Sequence, residues 1–142
     1  MNFPHLHDWP TTEADAVALQ HALAARVYTS TAPPGPIEFV AGCDIAYHLT
    51  EPRLFAAVVL LKVCDLSIVE ERTISREVTF PYIPGLLSFR EIPALLDTFA
   101  ELLQTPDAVM LDGQGIAHPR RFGLACHLGL WLDLPCVGCA KS

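Results

Sequence analysis

At 142 residues, with 51% hydrophobic and 18% charged side chains, the chain has the length and composition of one globular domain with a real core. Its net charge of −7 argues against a nucleic-acid binder driven by a basic surface, but leaves room for a nuclease whose acids await a cation. The longest apolar runs, such as 55–61, are far too short to span a bilayer. The first residues carry His5, His7 and Asp8 where a signal peptide would be basic and then apolar, so a cytoplasmic location is expected.

Residues 1–10 lack periodicity and predict an irregular or frayed start. Thr12, followed by Glu13 and Asp15, reads as an N-cap with acids in the first turn. Ala16, Leu19, Leu23 and Val27 recur at helical spacing, so a helix is predicted over 12–28. The stretch 30–36, STAPPGP, is a stiff linker. Residues 37–47 alternate, with Ile37, Phe39, Ala41, Cys43, Ile45 and Tyr47 on one face. Asp44 falls on the other face among small and apolar neighbours, and a carboxylate buried there needs a partner or a metal. Residues 54–61 are apolar on both faces, as in a central strand, whereas 68–78 carries Glu70, Glu71, Arg72, Arg76 and Glu77 and belongs nearer an edge. Short connections make these three an antiparallel meander.

The segment 80–91, FPYIPGLLSFRE, is held rigid by two prolines and a glycine, with Tyr82 at its tip. Ser88 and Glu91 match a capping box, although Pro93 sits awkwardly in a helix begun at Ser88. The helix proper is placed at 92–104, with Leu95, Leu96, Phe99, Leu102 and Leu103 facing the core. Residues 108–112 form a fourth strand, parallel to the first if a helix crosses between them. Within VMLDGQGIAHPRR, 109–121, a short buried strand delivers Asp112 to a glycine turn. Pro119 then suits the first position of a helix over 119–132, and 136–140 starts a fifth strand. Strand, acid, glycine loop and helix are the usual outline of an α/β active site, although a turn-forming Asp-Gly reads equally well.

The five cysteines, odd in number and mostly within apolar runs, are expected to be free thiols; Cys136 and Cys139 form a C-x-x-C with no second pair to complete a zinc site. His48 and His127 are assigned no role. The order of meander, helix, strand, helix and strand is α/β. It resembles the ribonuclease H-like architecture, a mixed sheet with helices packed on it. Asp44 and Asp112 would lie side by side if the first and fourth strands are neighbours, and Glu91 could complete a three-carboxylate cluster suited to a hard cation such as Mg²⁺. As a capping residue Glu91 would have no such part.

The segments AGCDIAY, FPYIPGLLSFRE, LDGQGIAHPRRFGLA and VGCAK, in order from Ile37 to Lys141, resemble the motifs of endonuclease V, the deoxyinosine 3′ endonuclease. The resemblance implies a Mg²⁺-dependent enzyme, with Mn²⁺ able to substitute, acting on DNA containing deoxyinosine and in some members on inosine in RNA. Cleavage would fall 3′ of the deaminated base. It implies metal ligation by Asp44 and Asp112 with Glu91 as a third acid, and places His118 and Lys141 at the catalytic centre. Tyr82 matches the wedge tyrosine of a loop formed with Pro81, Ile83 and Pro84, which holds the strands apart where the base is turned out. Gly113, Gln114 and Gly115 would lie near the lesion pocket, and Arg120 and Arg121 would contact DNA phosphates.

It implies one domain over 1–142, with 1–36 a helix and linker, 37–142 the ribonuclease H-like core, and the C-terminal part of the family fold missing. Phe122, Leu130 and Trp131 are then expected to lie exposed. Beside the enzyme stands an inosine-DNA-binding protein without turnover.

Overall fold

A computed structural model of the chain describes residues 1–141. Its elements run α1 (Glu13–Ala24), β1 (Phe39–Tyr47), β2 (Arg53–Lys62), β3 (Ile68–Glu77), α2 (Leu87–Ala100), β4 (Ala108–Asp112), α3 (Leu124–Leu132) and β5 (Cys136–Cys139). The five strands form one sheet in the order β3-β2-β1-β4-β5. The first three are antiparallel, and β4 and β5 run parallel to β1 and to each other. This is the mixed, ribonuclease H-like sheet expected, with the meander and the parallel β1–β4 pair in place.

The core lies between one face of the sheet and helices α2 and α3. Ala41 and Cys43 of β1, Val109 and Leu111 of β4, and Leu54, Ala56, Val58 and Leu60 of β2 meet Ile92, Leu95, Phe99, Leu128 and Trp131 of the two helices. The alternate residues of the same strands point the other way, onto a face that no helix covers among the described residues. β2 is central by position, yet apolarity on both sides does not bury both: Phe55 is 42% exposed. Asp44 falls on this uncovered face and is exposed, not buried as its apolar neighbours implied.

Two helix starts differ from expectation. α2 begins at Leu87, passes through Pro93 and ends at Ala100. Pro93 leaves the Phe89 carbonyl without its helical donor, but the apolar face from Phe89 to Phe99 outweighs that single bond. The N-cap is Leu86, with no side-chain cap, and the Ser88 hydroxyl turns to His127 Nδ1 at 2.8 Å. The capping box is therefore absent, and Glu91 is free for another purpose. α3 begins at Leu124, five residues beyond Pro119, because Arg121 takes a left-handed φ of 55° and the chain folds back on Gln114. Gly123 allows that approach, since a Cβ there would stand 2.2 Å from the Gln114 carbonyl oxygen.

The N-terminus is irregular but not frayed. The Met1 ammonium donates to the carbonyls of Ala100 and Leu102, where the negative end of the α2 dipole favours a cation. Trp9 stacks on Trp131 with centroids 5.5 Å apart and an interplanar angle of 13°. Residues 1–9 thus cover the outer side of α3. Phe122 and Trp131, expected to lie exposed, are buried, and Leu130 is half-buried. α1 ends at Ala24, earlier than the period of Val27 implied, and buries Ala16, Gln20 and Leu23. Among the described residues, no helix is long and apolar enough to cross a membrane.

Candidate active site

The acids converge because of register. Cys43 pairs with Leu111 across the parallel β1–β4 ladder, so Asp44 and Asp112, one residue further along each strand, stand side by side on the uncovered face. They rim an open basin of about 670 Å³ whose floor includes Gly42, Ala57 and Met110. Lys141, just past β5, completes the rim, with its Nζ 3.8 Å from Asp112 Oδ2.

Glu91 enters from the first turns of α2. It is 7% exposed, and its Oε2 is buried with no hydrogen-bond partner. Burial, then the negative charge of Asp44, pushes its carboxyl up to about 7, with Arg90 opposing and Asp112 adding a smaller rise. A buried carboxylate with an idle oxygen beside two more acids is costly unless something positive joins it. Among the described residues no three His, Cys, Asp or Glu side chains close into a ready-made metal cage. The donor set nevertheless suits a hard divalent cation, being carboxylate oxygen throughout with one atom unpartnered. Beneath it the Cys43 thiol is pushed up to about 12 by burial, which makes it an inert core residue.

The loop before α2 overhangs the same end of the sheet. Pro81, Tyr82 and Pro84 are exposed, with Tyr82 at 69%, while Phe80, Leu86 and Phe89 pack with Ala16, and half-buried Ile83 packs against them. The Arg90 guanidinium lies 5.1 Å from the Tyr47 ring centroid and 6.0 Å from that of Tyr82, a cation–π bracket on the loop tip. Neither Tyr47 nor Arg90 was singled out in the sequence. The one available signal was that Arg90 directly precedes Glu91.

The remaining candidates divide. His118 Nδ1 accepts from the Arg120 backbone N–H at 3.0 Å, so Nε2 carries the proton and donates to the Gly85 carbonyl at 2.7 Å. Both ring nitrogens are thus engaged within the protein, and burial lowers the His118 pKa. The Arg120 side chain is likewise turned inward, to Gln20 and Gly85, while Arg121 is exposed. In the glycine turn, Gly113 N–H donates to the Cys139 carbonyl and the Gly115 carbonyl accepts from Gly123. These glycines serve the fold, and the Gln114 side chain between them is exposed. His127, assigned no role, is wholly buried and bonded to Ser88 and His7.

A family model described as Endonuclease V matches residues 21–142. The chain belongs to the endonuclease V family. It is 46% identical to the endonuclease V of Nostoc punctiforme over 142 residues, which is 100% of this chain and 64% of that one. A crystal structure of endonuclease V from Streptomyces avermitilis matches with a TM-score of 0.88 and 46% identity, covering 94% of this chain and 59% of the other. Endonuclease V of Ciona intestinalis, in complex with a 23mer DNA containing an inosine followed by a ribo-adenosine, matches at a TM-score of 0.83 and 26% identity, over 91% and 57%. The chain spans 56% to 64% of the length of the first curated endonuclease V relatives. The ribonuclease H-like sheet and both abreast acids lie within the matched residues.

Proposed function

We propose that this chain is the acid-bearing core of a DNA-repair endonuclease that hydrolyses a phosphodiester bond 3′ of deoxyinosine. The observation that carries the reading is the Asp44–Asp112 pair with the unpartnered Glu91 oxygen beside it, under a rigid loop that presents Tyr82. The inosine-containing DNA bound to the Ciona relative supports the substrate class.

Asp44, Asp112 and Glu91 would hold Mg²⁺ or Mn²⁺. When bound, such an ion supplies an activated water and charge neutralisation at the cleaved phosphate. The Lys141 ammonium beside Asp112 adds a positive charge where the phosphate would gain negative charge. Tyr82 enters the duplex as a wedge, because turning out a mispaired base costs a few kcal/mol and leaves a gap that an aromatic ring fills. Gln114 is the side chain of the glycine turn best placed for contact with the turned-out base, and Arg121 is exposed for a backbone phosphate. For His118 and Arg120 the geometry supports holding the loop in place of direct contact with DNA. The net charge of −7 fits this reading, since cation binding cancels charge where phosphate must approach.

The test is nicking of an end-labelled duplex with one deoxyinosine, with Mg²⁺, with Mn²⁺ and with EDTA, using Asp44→Ala as the control. A metal-dependent nick 3′ of the lesion, lost in the variant, is the expected result. Specific retention of the inosine duplex without a nick would replace the enzyme by a binding protein. A parallel inosine oligoribonucleotide measures whether RNA is also cut.

A further inference from the structure

Three side chains from two segments distant in sequence meet on one atom, the Gly85 carbonyl oxygen. Gln20 Nε2 of α1 donates to it at 2.8 Å, His118 Nε2 at 2.7 Å and Arg120 Nη2 at 3.2 Å. Gln20 closes the group, because its Oε1 accepts from Arg120 Nε at 2.5 Å. Gln20 is 0% exposed on a helix whose other buried residues are Ala16 and Leu23. A primary amide in that position is costly to bury unless both its oxygen and its nitrogen are bonded, and here both are.

Gly85 is shaped for the same contact. Its φ is +85°, and a Cβ there would stand 2.6 Å from Arg120 Nη2. The positive φ favours glycine, and any Cβ there would push the Arg120 guanidinium off its place. It closes the exposed Pro81–Pro84 stretch, three residues after Tyr82, and Pro84 leaves little freedom between them. Ala16, one helical turn before Gln20, packs with Phe80 at the other end of the loop. One face of α1 thus grips both ends of the segment that presents the wedge.

We propose that Gln20 is a positioning residue for strand separation: through Gly85 and Arg120 it makes α1 the platform that fixes the pose of Tyr82. The inference rests on the nuclease reading above for its consequence, but the grip itself is a property of the free protein. A wedge must be stiff when the base leaves the stack and idle when there is no stack to open. Loosening the platform should therefore slow cleavage of duplex and spare cleavage of single strands.

Two variants test this. Gln20→Met keeps the side-chain volume and removes both hydrogen bonds; Gln20→Glu keeps an oxygen for Arg120 and loses the N–H aimed at Gly85. Hydrogen exchange is read at the Leu86 amide, which bonds the Ile83 carbonyl at 2.9 Å, and nicking is read on duplex and single-stranded deoxyinosine oligonucleotides. Both variants should exchange Leu86 faster, nick duplex at least about tenfold more slowly, the equivalent of one lost hydrogen bond or more, and nick single strands within about twofold of the parent. Unchanged exchange would overturn the platform, and so would an equal loss on both substrates. A parent chain that nicks neither substrate would overturn the nuclease reading instead, and the exchange result would still decide whether Gln20 holds the loop.

Discussion

Asp44 and Asp112 stand abreast because Cys43 and Leu111, the residues before them, are partners on parallel strands. The pair places two negative charges on one open face, with Lys141 3.8 Å from Asp112. Like charges so placed oppose folding until a cation arrives. Asp44→Asn and Asp112→Asn should each lower nicking at least about a hundredfold, through loss of the metal site. The same variants should leave the metal-free protein as stable as the parent or more so in urea denaturation. Loss of folding in both would show that the acids serve the structure.

Glu91 makes a second prediction with a defined sign. Its carboxyl titrates near 7 in the folded protein, against an ordinary value of 4.5. A native pKa above the unfolded one means the folded state holds the proton more tightly. The stabilisation is complete below about 4.5 and is lost as pH rises through about 7, on the order of 3 kcal/mol in all. Glu91→Gln should therefore be more stable than the parent at pH 8, nearly equal at pH 4.5, and inactive at both. Mg²⁺ should raise the parent's unfolding midpoint at pH 8 more than that of Glu91→Gln. Equal urea profiles for the two proteins across that range would remove the buried, unpaired carboxylate from the account.

The sheet was legible where periodicity and chain connection act locally. Alternation in β1 separated Asp44 from the buried Ala41 and Cys43, and the short links fixed the meander. Which face would be covered was not legible, so an exposed Asp44 looked buried. Both misplaced helix starts have long-range causes. Ser88 bonds His127, 39 residues away, and α3 waits until the chain has folded back on Gln114. Local rules for caps and prolines cannot weigh such contacts. The grip on Gly85 was hidden for the same reason, because Gln20 and Arg120 are 100 residues apart and neither breaks a local pattern.

The N-terminal strap gives a third prediction. Trp9 and Trp131, 122 positions apart in the chain, stack at 5.5 Å, and Phe3, Leu6 and Trp9 pack against the main core. Removing an aromatic ring from such a site costs about 3 kcal/mol. Trp9→Ala should lower stability by that amount and shift Trp131 emission to the red as water reaches it. A variant with unchanged stability would mean that residues 1–9 lie loosely on α3.

Below pH 7 a second group of residues should govern stability, and its hydrogen bonds assign every proton. Trp131 Nε1 can only donate, and it reaches His7 Nε2 at 3.1 Å. His7 Nδ1 faces the Asp8 carbonyl at 2.9 Å, so it carries the ring proton and Nε2 is an acceptor. His127 Nε2, 2.7 Å from that acceptor, must then be the donor, and its Nδ1 accepts from the Ser88 hydroxyl. Both rings are neutral. Burial lowers His7 and holds His127 well below its ordinary value. A proton added to His7 Nε2 would face two N–H donors at once. With native pKa values below the unfolded 6.5, this stabilisation is present above 6.5 and lost as pH falls. This slope runs opposite to that of Glu91, so the two effects oppose each other in the parent between 4.5 and 6.5. The two variants separate the terms. His127→Gln, which does not titrate, should remove most of the acid loss, while Glu91→Gln should leave it and expose a rising limb. A parallel profile for His127→Gln and the parent would mean that the His7–His127 contact does not couple protons to folding.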